Sequence, residues 1–404
     1  MRIRRVITVT ALLLCASHTW ALERSLYVIN GLSETLSRVN LETGAVSNNI
    51  QILGLVPNQV FIDNAGRRDG VAYVLNSSSD DLQLVQLDPV ALLNTISLGP
   101  DRNPYSLAFL NDSVVAVSNL LANTITEVNT NSGMIDTEYV VGMAPEGMAV
   151  HNGELFVCLT SFDFGTFAYG QGQIAVVDPD LDQVVATINV GTNPQAVLLD
   201  YQDELLVLCT GDFFSSFGMI YVIDPVTRTV TDSIATGGSP GHMALAPSGV
   251  VYIAAGGWVG SGEVYTLNSD DNTLMRGSGN PVAVGTGAVG MAADLFGNAY
   301  ACAFSVDQVN RIAGSTVNQT YALGDGPGFA AVFEPWPAGD LDESGTVTAA
   351  DVIYAVNFVF KGGPAPATLT LLDVNRSCLV TVSDVITMVN YLFRSGPRLE
   401  YGCY

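Results

Sequence analysis

QIAVVDPDLDQVVATINVGTNPQAV, residues 173–197, is the unit from which most of this 404-residue chain is copied. Apolar residues alternate through Ile174 and Val176, an Asp178-Pro179 turn follows, and alternation resumes at Val184, Ala186, Ile188 and Val190 before Gly191-Thr-Asn-Pro194 opens a third run. Period-two alternation punctuated by glycine and proline predicts short antiparallel strands, and the three runs read as one sheet.

The Gly-x-x-Pro turn recurs at Gly54/Pro57, Gly142/Pro145, Gly191/Pro194, Gly237/Pro240 and Gly324/Pro327, with imperfect copies at Gly99/Pro104 and Gly285/Ala288. Seven markers 39 to 49 residues apart, with about four short strands each, predict a mainly β fold, a seven-bladed β-propeller. No post-proline strand precedes Leu26, and no further strands follow residues 329–333. Residues 26–53 and 327–334 are therefore expected to share one blade, which closes the ring and removes its free edges. The tokens Leu26-Tyr-Val-Ile-Asn30, Ala72-Tyr-Val-Leu-Asn76, Val176-Val-Asp-Pro179 and Val222-Ile-Asp-Pro225 resemble the YVTN-type propellers of exported and surface-layer proteins. That resemblance covers about residues 25–335 and implies a fold; propellers of this kind include binding proteins, cofactor enzymes and lactonases.

The formal charge of −24 excludes nucleic acid and anionic membrane surfaces as expected partners, because both need clustered Lys and Arg. Residues 1–21, MRIRRVITVTALLLCASHTWA, combine a basic start, an apolar run and a small residue at Ala21, which predicts a signal peptide and a secreted or cell-surface protein with no retained membrane span. The alternative is a retained anchor, for which the apolar run is short.

Three consecutive repeats carry insertions where the second strand ends: residues 161–172, 211–218 and 256–262. They present Phe162, Phe164, Phe167, Tyr169, Phe213, Phe214, Phe217 and Trp258. Rings spaced by glycine on a rigid scaffold make a binding surface for a glycan or protein ligand, or pack on one another to hold the loops down. Just after the marker prolines stand Asn58, Gln59, Tyr105, Ser106, Glu146, Gln195 and His242, a polar ring expected at the mouth of the central funnel. It suits a small polar ligand or a cation, or simply ordered water. Gly237-Gly-Ser-Pro-Gly241 matches a nucleophile elbow by letters, but it is a strand-to-strand turn. Three histidines in separate segments make no evident metal site or triad. Cys158, Cys209 and Cys302 follow apolar strand residues and read as buried small hydrophobes.

Trp336-Pro-Ala338 breaks the repeat and marks a linker. After it, Asp340, Asp342, Ser344 and Asp351 occupy positions 1, 3, 5 and 12 of a loop with Gly345 at position 6 and the Thr346 carbonyl at position 7. This is the spacing by which oxygen ligands surround Ca²⁺, with aspartate where glutamate is usual at position 12. The unit returns as Asp373, Asn375, Ser377, Leu379 and Asp384, with Cys378 at position 6. Each loop runs into an amphipathic helix, residues 351–361 and 384–394, with Thr348/Asp351 and Thr381/Asp384 as capping boxes. Cys378 and Cys403, close together in a small module of an exported chain, are expected to pair.

Paired loop-helix units without a preceding helix resemble the type I dockerin, over residues 339 to about 397. The resemblance implies two Ca²⁺ sites, at Asp340, Asp342, Ser344, Thr346 and Asp351 and at Asp373, Asn375, Ser377, Leu379 and Asp384. It also implies docking onto a cohesin-like domain, often in polysaccharide-degrading assemblies. The organisation expected is thus a signal peptide (1–21), a propeller (22–335), a linker (336–338) and a calcium-binding module (339–404). Function is expected to be non-enzymatic binding; the alternative is a hydrolase or lyase acting on a polysaccharide or lactone, for which the funnel offers one acid, Glu146.

Overall fold

In the computed structural model, which describes residues 23–64, 70–257 and 260–404, each marker proline is the first residue of an inner strand. Pro57–Ile62, Pro104–Phe109, Pro145–His151, Pro194–Leu199, Pro240–Leu245, Ala288–Ala293 and Pro327–Phe333 neighbour one another in a closed ring. Each opens a sheet whose remaining strands follow outward, as in Pro57–Ile62, Val71–Asn76, Asp81–Leu87 and Val90–Ser97. The chain is a seven-bladed β-propeller. The closing blade joins both ends of the repeat region, with Pro327–Phe333 antiparallel to Ser25–Asn30. The signal-peptide reading and Trp258 fall outside the described residues.

One expectation is corrected. Residues 173–197 are not one sheet: Gln173–Asp178 and Gln183–Asn189 are the outer strands of the fourth blade, while Pro194–Leu199 opens the fifth. Pro194 carries no N–H to pair back, and it suits the inner edge, where no ladder partner is required.

Two marker glycines, Gly54 and Gly324, share a packing cause. A Cβ on Gly54 would lie 2.7 Å from Asn76 Cγ, and one on Gly324 would lie 2.6 Å from Asn30 Nδ2. These asparagines end the second strands and are fully buried. Asn30 Nδ2 donates to Thr35 Oγ1 and Ser37 Oγ, Asn76 Nδ2 to Asp81 Oδ1 and Gln83 Oε1, and Asn119 Nδ2 to Thr124 Oγ1 and Thr126 Oγ1. In each case the amide nitrogen ties the second strand to the third, and at Asn30 and Asn76 the marker glycine gives the side chain room. The Asp turns act similarly: Asp224 Oδ1 accepts from the Val226 and Thr227 amides before the outermost strand begins.

The N-terminal end is held by charge. Arg24 lies 2.7 Å from Glu334 Oε2 and 3.3 Å from Asp294 Oδ2, with its guanidinium 4.0 Å above the Phe296 ring. Both carboxylates are buried.

The C-terminal module is built on α1 (Ala349–Lys361) and α2 (Val382–Arg394), each opened by a complete capping box at Thr348/Asp351 and Thr381/Asp384. Ala355, Leu371, Leu372, Val385, Met388 and Leu399 form its core together with Leu295 from the seventh blade; Trp336 and Ala338 join that core. No helix among the described residues is long and apolar enough to cross a membrane.

Candidate functional site

The inner strands carry a bulge just after the marker residue, for instance between Pro57 and Gln59, Pro145 and Met148, and Pro240 and His242. A bulge re-aims the residues at a strand's end. Asn58, Tyr105, Gln195 and His242 are partly open, whereas Gln59, Ser106 and Glu146 are buried, so these three do not share the ring's exposure. Adjacent members touch: Asn58 Nδ2 donates to the Tyr105 carbonyl at 3.2 Å, and the Tyr105 hydroxyl bonds the Glu146 carboxyl. Tyr169, from the first inserted loop, lies close enough for the Glu146 charge to raise its pKa, after burial.

The ring is neutral. Burial pushes the Glu146 carboxyl from 4.5 up to about 8, the Tyr105 hydroxyl pulling it only partly back. Burial lowers His242 to about 4, and its Nδ1 accepts from the Met291 amide at 3.1 Å, which places the proton of the neutral ring on Nε2. At neutral pH the mouth thus presents a protonated carboxyl, a phenol, a carboxamide and a neutral imidazole. Such a set suits an uncharged polar ligand and disfavours a bare cation.

A stability consequence follows. Between 4.5 and about 8 the folded chain keeps a proton on Glu146 that the unfolded chain releases, so stability falls as pH rises through that window. Glu146→Gln is expected to flatten this decline in denaturant titrations at a series of pH values; an unchanged slope would show that Glu146 ionises normally.

The inserted loops lie beside the turns that open the inner strands, held by Ser161 N to the Met143 carbonyl (3.2 Å) and Gly211 N to the Thr192 carbonyl (3.1 Å). In the first loop Phe162 is a packing hub, with ring centroids 4.9 Å from Phe164, 6.3 Å from Phe167 and 4.8 Å from Tyr169. Its short hairpin pairs Phe162 with Tyr169. Phe164 and Phe167 nevertheless stay exposed. In the second loop Phe213, Phe214 and Phe217 are all exposed, and Phe214 reaches 89 %. The Asp212 carboxylate fixes that loop by accepting from the amides of Phe214, Ser215 and Ser216, which hold its pKa well below the usual range, the Ser215 hydroxyl contributing most. Phe162 and Tyr169 are thus half-buried against one another, while Phe164, Phe167 and the three rings of the second loop stay exposed.

The two C-terminal loops repeat one geometry. Asp340 accepts from the amides of Ser344 and Gly345, as Asp373 does from Ser377 and Cys378. Position 6 is left-handed in both, Gly345 at φ 85° and Cys378 at φ 56°. The position-5 hydroxyls of Ser344 and Ser377 each reach the position-7 carbonyl, Thr346 and Leu379, at 3.1 Å. Asp340, Asp342 and Asp351 each bring a carboxylate oxygen within 4.8 Å of the others. In the second loop Asn375 replaces the middle carboxylate, and Asp384 Oδ1 is buried without a hydrogen-bond partner. Clustered hard oxygens plus an orphaned carboxylate oxygen fit a hard divalent cation. Cys378 and Cys403 are joined in a disulfide, so these sulfurs offer no thiolate beside Asp373. Cys158, Cys209 and Cys302 are buried thiols.

Sequence reasoning missed the seat of this module on the propeller. Tyr401 Oη shares its proton between the Trp336 carbonyl at 2.8 Å and the Asn64 carbonyl at 3.0 Å, Arg398 pairs with Asp112 at 2.7 Å, and Arg376 donates to the Asp200 carbonyl at 3.0 Å. Asn64, Asp112 and Asp200 sit where inner strands of three blades end, so the module covers the base of the channel, opposite the aromatic loops. A cavity of about 940 Å³ lies between them, lined by Phe109, Val150, Leu199 and Leu245 from the propeller and by Arg376 and Leu399 from the module.

No protein-family profile matches the chain, and no curated protein is a detectable relative. Solved structures do resemble it. A functionally unknown protein from Desulfotomaculum acetoxidans is 15% identical, with a TM-score of 0.61 over 78% of this chain and 100% of that one. Hydrazine synthase from Kuenenia stuttgartiensis is 14% identical, at 0.57 over 68% and 89%. A streptogramin B lyase is 13% identical, at 0.54 over 68% and 86%. What they share with this chain is the fold.

Proposed function

We propose that this is an exported, non-enzymatic binding protein: the upper face of the propeller takes a glycan or protein ligand, and the C-terminal module binds two Ca²⁺ ions and docks onto a cohesin-like domain. The observation that carries the first half is the row of exposed rings, Phe164, Phe167, Phe213, Phe214 and Phe217, on neighbouring loops of one rigid face. Exposed aromatics cost hydration, and they give large contact area at low entropy cost. The loop chemistry supports the second half: oxygen donors at matched positions and an unpartnered Asp384 oxygen. Exposed apolar residues of both helices, Ile353, Phe360, Ile386 and Phe393, leave a face for a protein partner while the module rests on the propeller.

A second reading is an enzyme with Glu146 as general acid. It is favoured by the carboxyl that burial keeps protonated near neutral pH beside Tyr105, and a lyase is among the neighbours in fold.

One experiment separates the two. The triple change Phe213→Ala, Phe214→Ala and Phe217→Ala is expected to weaken binding on a glycan array by tenfold or more, about 1.4 kcal/mol, with the unfolding transition unchanged. Glu146→Gln should leave that binding intact. Turnover of a bound polysaccharide or lactone that Glu146→Gln abolishes would establish the enzyme instead.

A further inference from the structure

We propose that the base of the propeller is the built-in docking partner of the C-terminal module, and that a divalent cation in the second loop tightens this contact. The proposal rests on reading that loop as a calcium site. Leu295 of the seventh blade packs into the module's core, while three polar contacts come from this loop and from the tail that the disulfide ties to it. Arg376, at loop position 4, donates to the Asp200 carbonyl at 3.0 Å and lies 5.2 Å from the Tyr201 ring centroid. Arg398 and Tyr401, which reach Asp112 and Asn64, belong to the tail closed by Cys403.

Arg376 is a left-handed residue at φ 55° between the ligand positions Asp373, Asn375 and Ser377. Its backbone cannot turn without displacing them, so the loop shape that holds a cation is also the shape that aims Arg376 at the propeller. The orphaned, fully buried Asp384 oxygen is independent of those contacts. It leaves the closed loop with an acceptor that only a cation or a donor can satisfy, and without one the closed loop is less favoured. The equivalent residue of the first loop, Glu343, is exposed, so the coupling belongs to the second loop alone. Docking also walls one side of the cavity beneath the channel, with Asn375 and Arg376 in that wall.

Linkage makes the coupling reciprocal: if calcium strengthens docking, breaking docking weakens calcium by the same factor. The test is a calcium titration of the full-length, oxidised chain by calorimetry, together with hydrogen exchange of residues 197–204 with and without calcium. Arg376→Ala removes no ligand side chain, and it is expected to weaken the second site about fivefold or more while sparing the first. Arg398→Ala, outside the loop, should shift the same site in the same direction, which guards against local distortion by the first variant. Calcium should slow exchange across residues 197–204 in the parent chain and not in Arg376→Ala. Two ions bound with affinities untouched by both variants, or exchange indifferent to calcium, would overturn the coupling and leave the loop reading standing. A chain that binds no calcium would overturn both.

Discussion

Arg24→Ala is expected to lower the unfolding free energy of the propeller by about 3–5 kcal/mol, the largest loss from any single change considered. The guanidinium is the partner of two buried carboxylates, Glu334 and Asp294, and its removal leaves both without their cation at the blade junction. Burial already raises the Glu334 pKa, and Arg24 is what opposes that rise. Without the cation the folded chain takes up protons more readily than the unfolded chain, so the defect should shrink as pH falls into the carboxylate range. Arg24→Lys keeps the charge but not the two-pronged geometry, and should lie between the variant and the parent. Urea titrations at two pH values would decide the matter. A loss under about 1 kcal/mol, or one independent of pH, would mean that ring closure rests on the strand pairing of Ser25–Asn30 with Pro327–Phe333 alone.

Asp340→Ala is expected to remove the tighter of two calcium-binding events. The first loop offers three carboxylates, Asp340, Asp342 and Asp351, where the second offers Asp373 and Asp384, and affinity in such loops follows ligand charge. The second also holds Cys378 left-handed, a conformation that costs a non-glycine residue on the order of 1–2 kcal/mol. Asp340 is fully buried, and it gathers the Ser344 and Gly345 amides. The loop and the start of α1 should therefore loosen, while the propeller's thermal transition stays in place. Calorimetry showing two equal sites, or a tight site that survives the change, would refute the ranking.

Much of the fold was legible because its causes are local and repeat. A marker proline begins the inner strand in six of the seven blades, and at Gly54 and Gly324 the glycine yields space to a buried asparagine. The closing blade could be read from two incomplete sets of strands, and the capping boxes from threonine and aspartate three residues apart. The sheet boundary inside residues 173–197 was misread, since alternation reports which residues form strands and not which strands pair.

What only the tertiary structure decided depends on residues far apart in the chain. The neutral state of Glu146 and His242 comes from burial at the mouth of a ring, and no neighbouring residue in sequence announces it. The split among the aromatic loops, Phe162 packed and Phe214 bare, is settled by how each loop folds back on its own blade. The seat of the module is the clearest case. Arg376 meets Asp200 across 176 residues and Arg398 meets Asp112 across 286, contacts between surfaces that carry no shared sequence pattern. A polar surface residue reads the same whether it faces water or another domain, and only the packing of the two bodies tells which.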